Sequence, residues 1–117
     1  MNTIQIKRIY EERLPSDGYR ILVDRLWPRG LTKEKAYIDE WNKNIAPSAE
    51  LRKWFHHQPE EFEQFSKLYK QELSTHEQEL KRLKEIAGNQ PLTLLYAARD
   101  TQVNHARVLE EVLKGIK

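Results

Sequence analysis

A chain of 117 residues, 38% hydrophobic and 32% charged, is long enough to enclose one hydrophobic core and too short for two, so a single domain over residues 1–117 is expected. It contains no cysteine, which excludes disulfides, thiolate metal sites, iron–sulfur clusters and cysteine nucleophiles. Twenty Lys and Arg stand against eighteen Asp and Glu, a surplus too small to call for a nucleic-acid partner, although residues 1–58 carry a net +3 and residues 59–117 a net −1. No apolar run approaches the roughly 20 residues that span a bilayer, and Met1–Arg8 lacks a secretory segment, so a cytoplasmic protein without a membrane partner is expected.

Ile4 and Ile6 alternate with polar neighbours and predict a first strand. After the turn-like Pro15-Ser16-Asp17-Gly18, Tyr19, Ile21 and Val23 alternate again and predict a second. That strand runs into Asp24-Arg25-Leu26-Trp27-Pro28-Arg29-Gly30, where Pro28 and Gly30 favour a loop. With Thr32 as N-cap, the four-residue spacing of Tyr37, Trp41 and Ile45 predicts a helix that ends before Pro47.

Ser48 is suited to cap a short helix carrying Leu51, Trp54 and Phe55. Pro59 is suited to begin another, with Phe62, Phe65, Tyr69 and Leu73 on one face. Thr75 and Gln78 have capping-box spacing ahead of Leu80, Leu83 and Ala87, and Gly88 is placed to stop that helix. Leu92–Ala97 carries no charge and predicts a buried central strand; Leu109, Val112 and Ile116 mark a terminal helix. The expected architecture is α/β, a compact three-layer-like domain with a small, mainly parallel sheet flanked by helices. Three strands beside at least five helices leave room for a strand that the pattern does not mark. Trp41, Phe62, Phe65, Leu94 and Leu109 are expected in the core.

Chemistry-bearing residues gather after two predicted strands, at Asp24–Gly30 and at Ala98–Gln102, the usual ligand-binding edge of an α/β fold. Arg25, Arg29 and Arg99 can bind phosphate or carboxylate through paired hydrogen bonds, with Asp24 and Asp100 orienting them. The alternative is structural: Asp24 with Arg25 or Arg99, and Asp100 with Arg29, as ion pairs that secure the loops. Trp27 can stack on a ligand or anchor the Pro28 loop, and the anchor is the commoner use of an aromatic beside a strand end.

His105, near Arg99 and Asp100, has the chemistry for proton transfer, as do Asp24 and Asp100, while a cap or core hydrogen bond is the more ordinary use of such an imidazole. Tyr19 and Tyr96 suit capping of an internal polar network better than catalysis. His56-His57 lacks a companion ligand set, and adjacent helical side chains diverge, so no metal and no cofactor is implied. No glycine-rich phosphate loop, zinc-protease helix or serine nucleophile turn is present.

Three function classes follow: a binding module for a small anionic molecule, an enzyme acting on such a molecule through Asp24, Asp100 or His105, and a protein- or nucleic-acid-binding face built on Trp27, Trp41, Trp54 and Phe55. The helical spacing of the last set fits core burial better.

The segment Val23-Asp24-Arg25-Leu26-Trp27-Pro28-Arg29-Gly30, with Trp41, Ile45-Ala46-Pro47-Ser48, Tyr96-Ala97-Ala98-Arg99-Asp100 and Asn104-His105-Ala106, resembles the YeaO-like family, an uncharacterised branch of domain of unknown function 488. The resemblance covers nearly the whole chain. It implies a compact α/β domain and by itself brings no substrate or reaction class.

Overall fold

The structure is a computed structural model and describes residues 3–56 and 58–116. Its four strands are β1 (Ile4–Arg8), β2 (Tyr19–Leu22), β3 (Glu40–Trp41) and β4 (Leu92–Tyr96). The α-helices are α1 (Lys33–Ala36), α2 (Ala49–Phe55), α3 (Phe62–Leu73), α4 (Glu77–Asn89) and α5 (His105–Lys114). The strands form one sheet in the order β1-β4-β2-β3, and every pairing is parallel. Every residue of the uncharged β4 is buried, and its neighbours in sequence are the helices α4 and α5, the usual setting of a parallel strand covered on both faces.

The sheet has two unequal faces. Ile21, Val23, Leu92, Leu94 and Tyr96 point into the main core, where Phe55, Phe65, Tyr69, Leu83 and Leu109 come from α2 to α5. The alternate residues Leu22 and Leu95 point the other way, into a smaller cluster of Ile9, Ala36, Trp27, Leu31, Ile38 and Trp41. The layers are therefore helices, sheet, and a cover made of one short helix and loop. Among the described residues no helix is long and apolar enough to cross a membrane.

One expected helix is absent. Thr32 does cap α1, accepting from the Lys35 amide, but α1 lasts one turn and Tyr37 turns left-handed at φ 49°. The cause lies on the neighbouring strand. A continued helix would need the carbonyls of Ala36 and Tyr37 as acceptors for the amides four residues on. Instead Arg20 donates to both, from Nη2 to Ala36 at 3.0 Å and from Nε to Tyr37 at 2.8 Å. Asp39 completes the exchange, its carboxylate accepting from the Arg20 amide and its own amide donating to the Arg20 carbonyl. The chain is drawn alongside β2 and becomes β3, so Trp41 is a half-buried strand residue and Tyr37 is exposed.

Smaller corrections are of boundary. Phe62 is half-buried, whereas Phe65, Leu94 and Leu109 are buried as expected. Helix α4 begins after His76, and the Thr75 hydroxyl donates back to the Glu72 carbonyl rather than capping forward. Gly88 lies inside α4, which ends one residue later. A different glycine is constrained: Gly18, at φ 65°, has no room for a Cβ, which would lie 2.2 Å from the Pro91 carbonyl oxygen.

The charge that organises this region is itself buried. Arg20 and Asp17 are 3% and 1% exposed and form an ion pair, with Lys7 donating to the same carboxylate at 3.1 Å. Burial alone would raise the Asp17 carboxyl, but the Leu14 amide, Lys7 and Arg20 together hold it below its ordinary value of 3.8. A depressed native pKa means stabilisation that is fully present above about pH 3.8 and lost as pH falls through the native value. Asp17→Asn should therefore flatten the acid limb of a stability-against-pH profile, and Arg20→Ala should cost about 3–5 kcal/mol in urea denaturation, since it takes one of two cations from a buried carboxylate and leaves the Ala36 and Tyr37 carbonyls without their donor. Leu94→Ala should cost about 2–5 kcal/mol by the same measurement.

Candidate functional site

Because all strands are parallel, their carboxyl ends share one edge, and the segments that follow β1, β2 and β4 leave the sheet side by side. Tyr10 follows β1, Asp24–Arg29 follow β2, and Ala97–Asp100 follow β4. Together with α2 and the first residue of α5 they line a cleft of about 880 Å³. All seven residues singled out from the sequence line it: Asp24, Arg25, Trp27, Arg29, Arg99, Asp100 and His105. A topology with adjacent parallel strands of this kind opens such a cleft by construction.

Asp24 ties the loops after β2 and β4 together. Its Oδ2 accepts from the Ala97 amide at 3.0 Å, continuing the β2–β4 ladder by one side-chain bond. Its Oδ1 is buried, lies 3.0 Å from His105 Nε2 and has no hydrogen bond aligned on it. The aligned acceptor for Nε2 is the Val23 carbonyl at 2.9 Å. A carbonyl can only accept, so Nε2 carries the proton and the Asp24 contact is electrostatic. The imidazole is thus held on Val23, just past the end of β2, from the start of α5, with Tyr69 against it edge to face at 6.3 Å between centroids. Burial pushes the Tyr69 phenol well above its ordinary value, reinforced by Glu72 and Asp24, and the phenol donates to the Ile45 carbonyl at 2.6 Å.

The arginines divide. Arg25 donates to the carbonyls of Pro47 and Ala46, at 3.1 and 3.4 Å, and so fixes the turn that starts α2. The orientation expected from Asp24 comes from these carbonyls instead, and Asp24 pairs with neither Arg25 nor Arg99. Arg29 and Arg99 are exposed, and no hydrogen bond or ion pair among the described residues engages either side chain. Asp100 closes a turn, its Oδ1 accepting from the amides of Gln102 and Val103, while Asn104 caps α5 and donates to the Asp100 carbonyl. Trp27 anchors its loop: the indole donates to the Leu31 carbonyl at 2.6 Å and meets Trp41 edge to face at 5.2 Å.

Several site residues were not legible as such. Arg52, Lys53 and His56 of α2 and its C-cap line the cleft, and the side chains of Arg52 and Lys53 are, like Arg29 and Arg99, without a partner among the described residues. The basic surplus of residues 1–58 was the available signal. Arg8 was also missed; it donates to the carbonyls of Ala98 and Ala97 and holds the loop after β4. Tyr10 holds the other loop, donating to the Arg29 carbonyl at 2.8 Å. Ser48 caps α2, as expected, and also binds Glu72 of α3. His57 lies outside the described residues, and among those described no group of three His, Asp or Glu is positioned to hold a metal ion.

Comparison with known proteins places residues 3–116 within the family DUF488-N3i, described as the inactive DUF488-N3 subclade. The uncharacterised protein YeaO of Escherichia coli strain K12 is 55% identical over 97% of this chain and 98% of its own length. The uncharacterised protein Rv3073c of Mycobacterium tuberculosis strain H37Rv and Mb3100c of Mycobacterium bovis are each 42% identical over 96% of this chain and 94% of theirs. No solved structure matches.

The role of Asp24 as a clasp is open to a two-variant test. Asp24→Ala removes the acceptor for the Ala97 amide and should cost about 1–3 kcal/mol in urea denaturation. Asp24→Asn keeps an oxygen for that amide and should cost less. Equal losses would show that the Ala97 bond is not what Asp24 contributes.

Proposed function

From the premise that this chain belongs to the inactive DUF488-N3 subclade, we propose that it is a binding module for a small anionic metabolite of the cytoplasm, held in the cleft at the carboxyl edge of the sheet. The observation that carries this reading is the charge of the cleft. Five Lys and Arg line it against two Asp, an excess of three positive charges in a chain whose whole net charge is +2. Four of the five, Arg29, Arg52, Lys53 and Arg99, make no side-chain hydrogen bond or ion pair with the described residues. Guanidinium donors left unpaired beside a concave wall match the paired oxygens of a phosphate or carboxylate.

Binding is favoured over catalysis for two reasons. The family description names an inactive subclade. The carboxylate–imidazole contact in the cleft, Asp24 with His105, is also a structural clasp, since the Nε2–H of His105 already donates to the Val23 carbonyl. The cations sit in a cleft rather than along an extended stripe, which fits a small anion better than a nucleic-acid backbone.

Ligand-detected NMR against a panel of phosphorylated and carboxylated metabolites tests the proposal. Wild type should bind members of the panel, and Arg99→Ala should weaken them about tenfold or more while the circular dichroism spectrum stays the same. Raising the salt concentration should weaken binding as well. Identical binding by wild type and Arg99→Ala would remove Arg99 from the site, and product formation dependent on His105 would replace the binding reading with an enzymatic one.

A further inference from the structure

The cleft is more apolar than an inorganic anion requires. Phe55 and Phe65, both nearly fully buried, form part of its floor, and Pro28, Pro47 and the half-buried Trp27 contribute to its wall. At its lip stands Leu26, 61% exposed and flanked in sequence by Arg25 and Trp27. Its neighbours in the loop have identifiable jobs, Arg25 on the carbonyls before α2 and Trp27 on Leu31, whereas Leu26 belongs to neither hydrophobic cluster. A single exposed leucine needs no explanation by itself. One placed on the rim of an aromatic-floored cleft, among cations without partners, has a ready use.

We propose that the ligand of this cleft is an anion carried on a flat aromatic ring, with the anionic group on the Arg29 and Arg99 side and the ring against Trp27, the phenylalanine floor and Leu26. This inference rests on the anion-binding reading above and adds the chemical class. The physical argument is one of complementarity. Free phosphate would satisfy the guanidinium donors but leave the exposed Leu26 and the uncovered part of Trp27 in contact with water, gaining nothing from them. A ring covers them, and a planar π-system also suits guanidinium and indole faces. The cleft's volume of about 880 Å³ is that of sites which enclose whole organic ligands rather than single ions.

The test pairs probes that differ by the ring. Binding of inorganic phosphate and phenyl phosphate to the full chain is measured by isothermal titration calorimetry, alongside ribose 5-phosphate and adenosine 5′-monophosphate. Phenyl phosphate should bind about tenfold tighter than phosphate, the gain expected from removing part of a ring from water. A matching gain of adenosine monophosphate over ribose phosphate would identify the ring as a nucleobase. A gain confined to phenyl phosphate would identify a simple aryl group. Leu26→Ser should reduce the ring-dependent gain several-fold and leave phosphate binding and the melting temperature unchanged, because the side chain is exposed.

If phosphate binds through Arg99 and neither ring adds affinity, the ring inference is overturned while the anion reading stands. If no probe binds, or binding is indifferent to Arg99→Ala, both are overturned. A ring gain that survives Leu26→Ser undiminished would overturn the part assigned to Leu26.

Discussion

The parallel pairing of β4 between β1 and β2 is the constraint on which the rest of the molecule depends. With Leu94 opposite both Ile6 and Ile21, the two edges of β4 are hydrogen-bonded and its two faces are covered. The side-chain period of two makes this register unforgiving, since a slip of one residue would exchange Leu94 and Leu95 between the large core and the small one. Parallel pairing also sets direction. Three chain segments must leave the sheet at the same edge, and that is where Tyr10, Asp24 and Ala97 emerge as neighbours.

A buried charge sets the second level of organisation. The Arg20–Asp17 pair lies almost wholly out of water, where a well-packed apolar pair of similar volume often serves stability equally well. What it contributes here is direction to the backbone. Arg20 takes the carbonyls that would have continued α1 and so brings β3 onto the sheet. That strand carries Trp41, whose indole donates to the Asp24 carbonyl at 2.7 Å and packs against Trp27. The polar device beneath the sheet therefore reaches the cleft through two tryptophans. The two left-handed non-glycine positions among the described residues, Tyr37 and His56, lie where a short helix is stopped, and the second borders the cleft.

Around the cleft the polar groups fall into two kinds. Arg8, Tyr10, Asp24, Arg25 and Asn104 are bound to backbone carbonyls or amides and keep three loops in place. Arg29, Arg52, Lys53 and Arg99 reach the same space with no partner of their own among the described residues. Groups of the first kind hold the cleft's shape, which would lower the ordering cost of the binding proposed above. Groups of the second kind are exposed cations whose charge is available to a ligand. The Asp24–His105 contact belongs with the first kind, because its imidazole proton is already directed at the Val23 carbonyl.

Local pattern in the sequence was sufficient wherever one element's own periodicity or turn chemistry decided the outcome. The strands at Ile4, Tyr19 and Leu92, the cap at Ser48 and the apolar faces of α3 and α5 are of this kind, as are the two ionisable loops at strand ends. Membership of the family was legible too, in the run from Val23 to Gly30. Tertiary structure alone decided the rest. The spacing of Tyr37, Trp41 and Ile45 is helical, yet an arginine seventeen residues before Tyr37 captures the carbonyls that helix needed, and no local window contains that competition. Arg25 and Asp24 are adjacent in sequence, but their partners are Pro47 and Ala97, which only folding brings near. Arg52 and Lys53 lie off the apolar positions Leu51 and Phe55 that mark their short helix, and they line the cleft beside the turn that Arg25 holds at the start of that helix. The sequence determined which groups were available at each strand end; which of them hold the loops and which cations are left without a partner among the described residues depended on contacts between residues far apart in the chain.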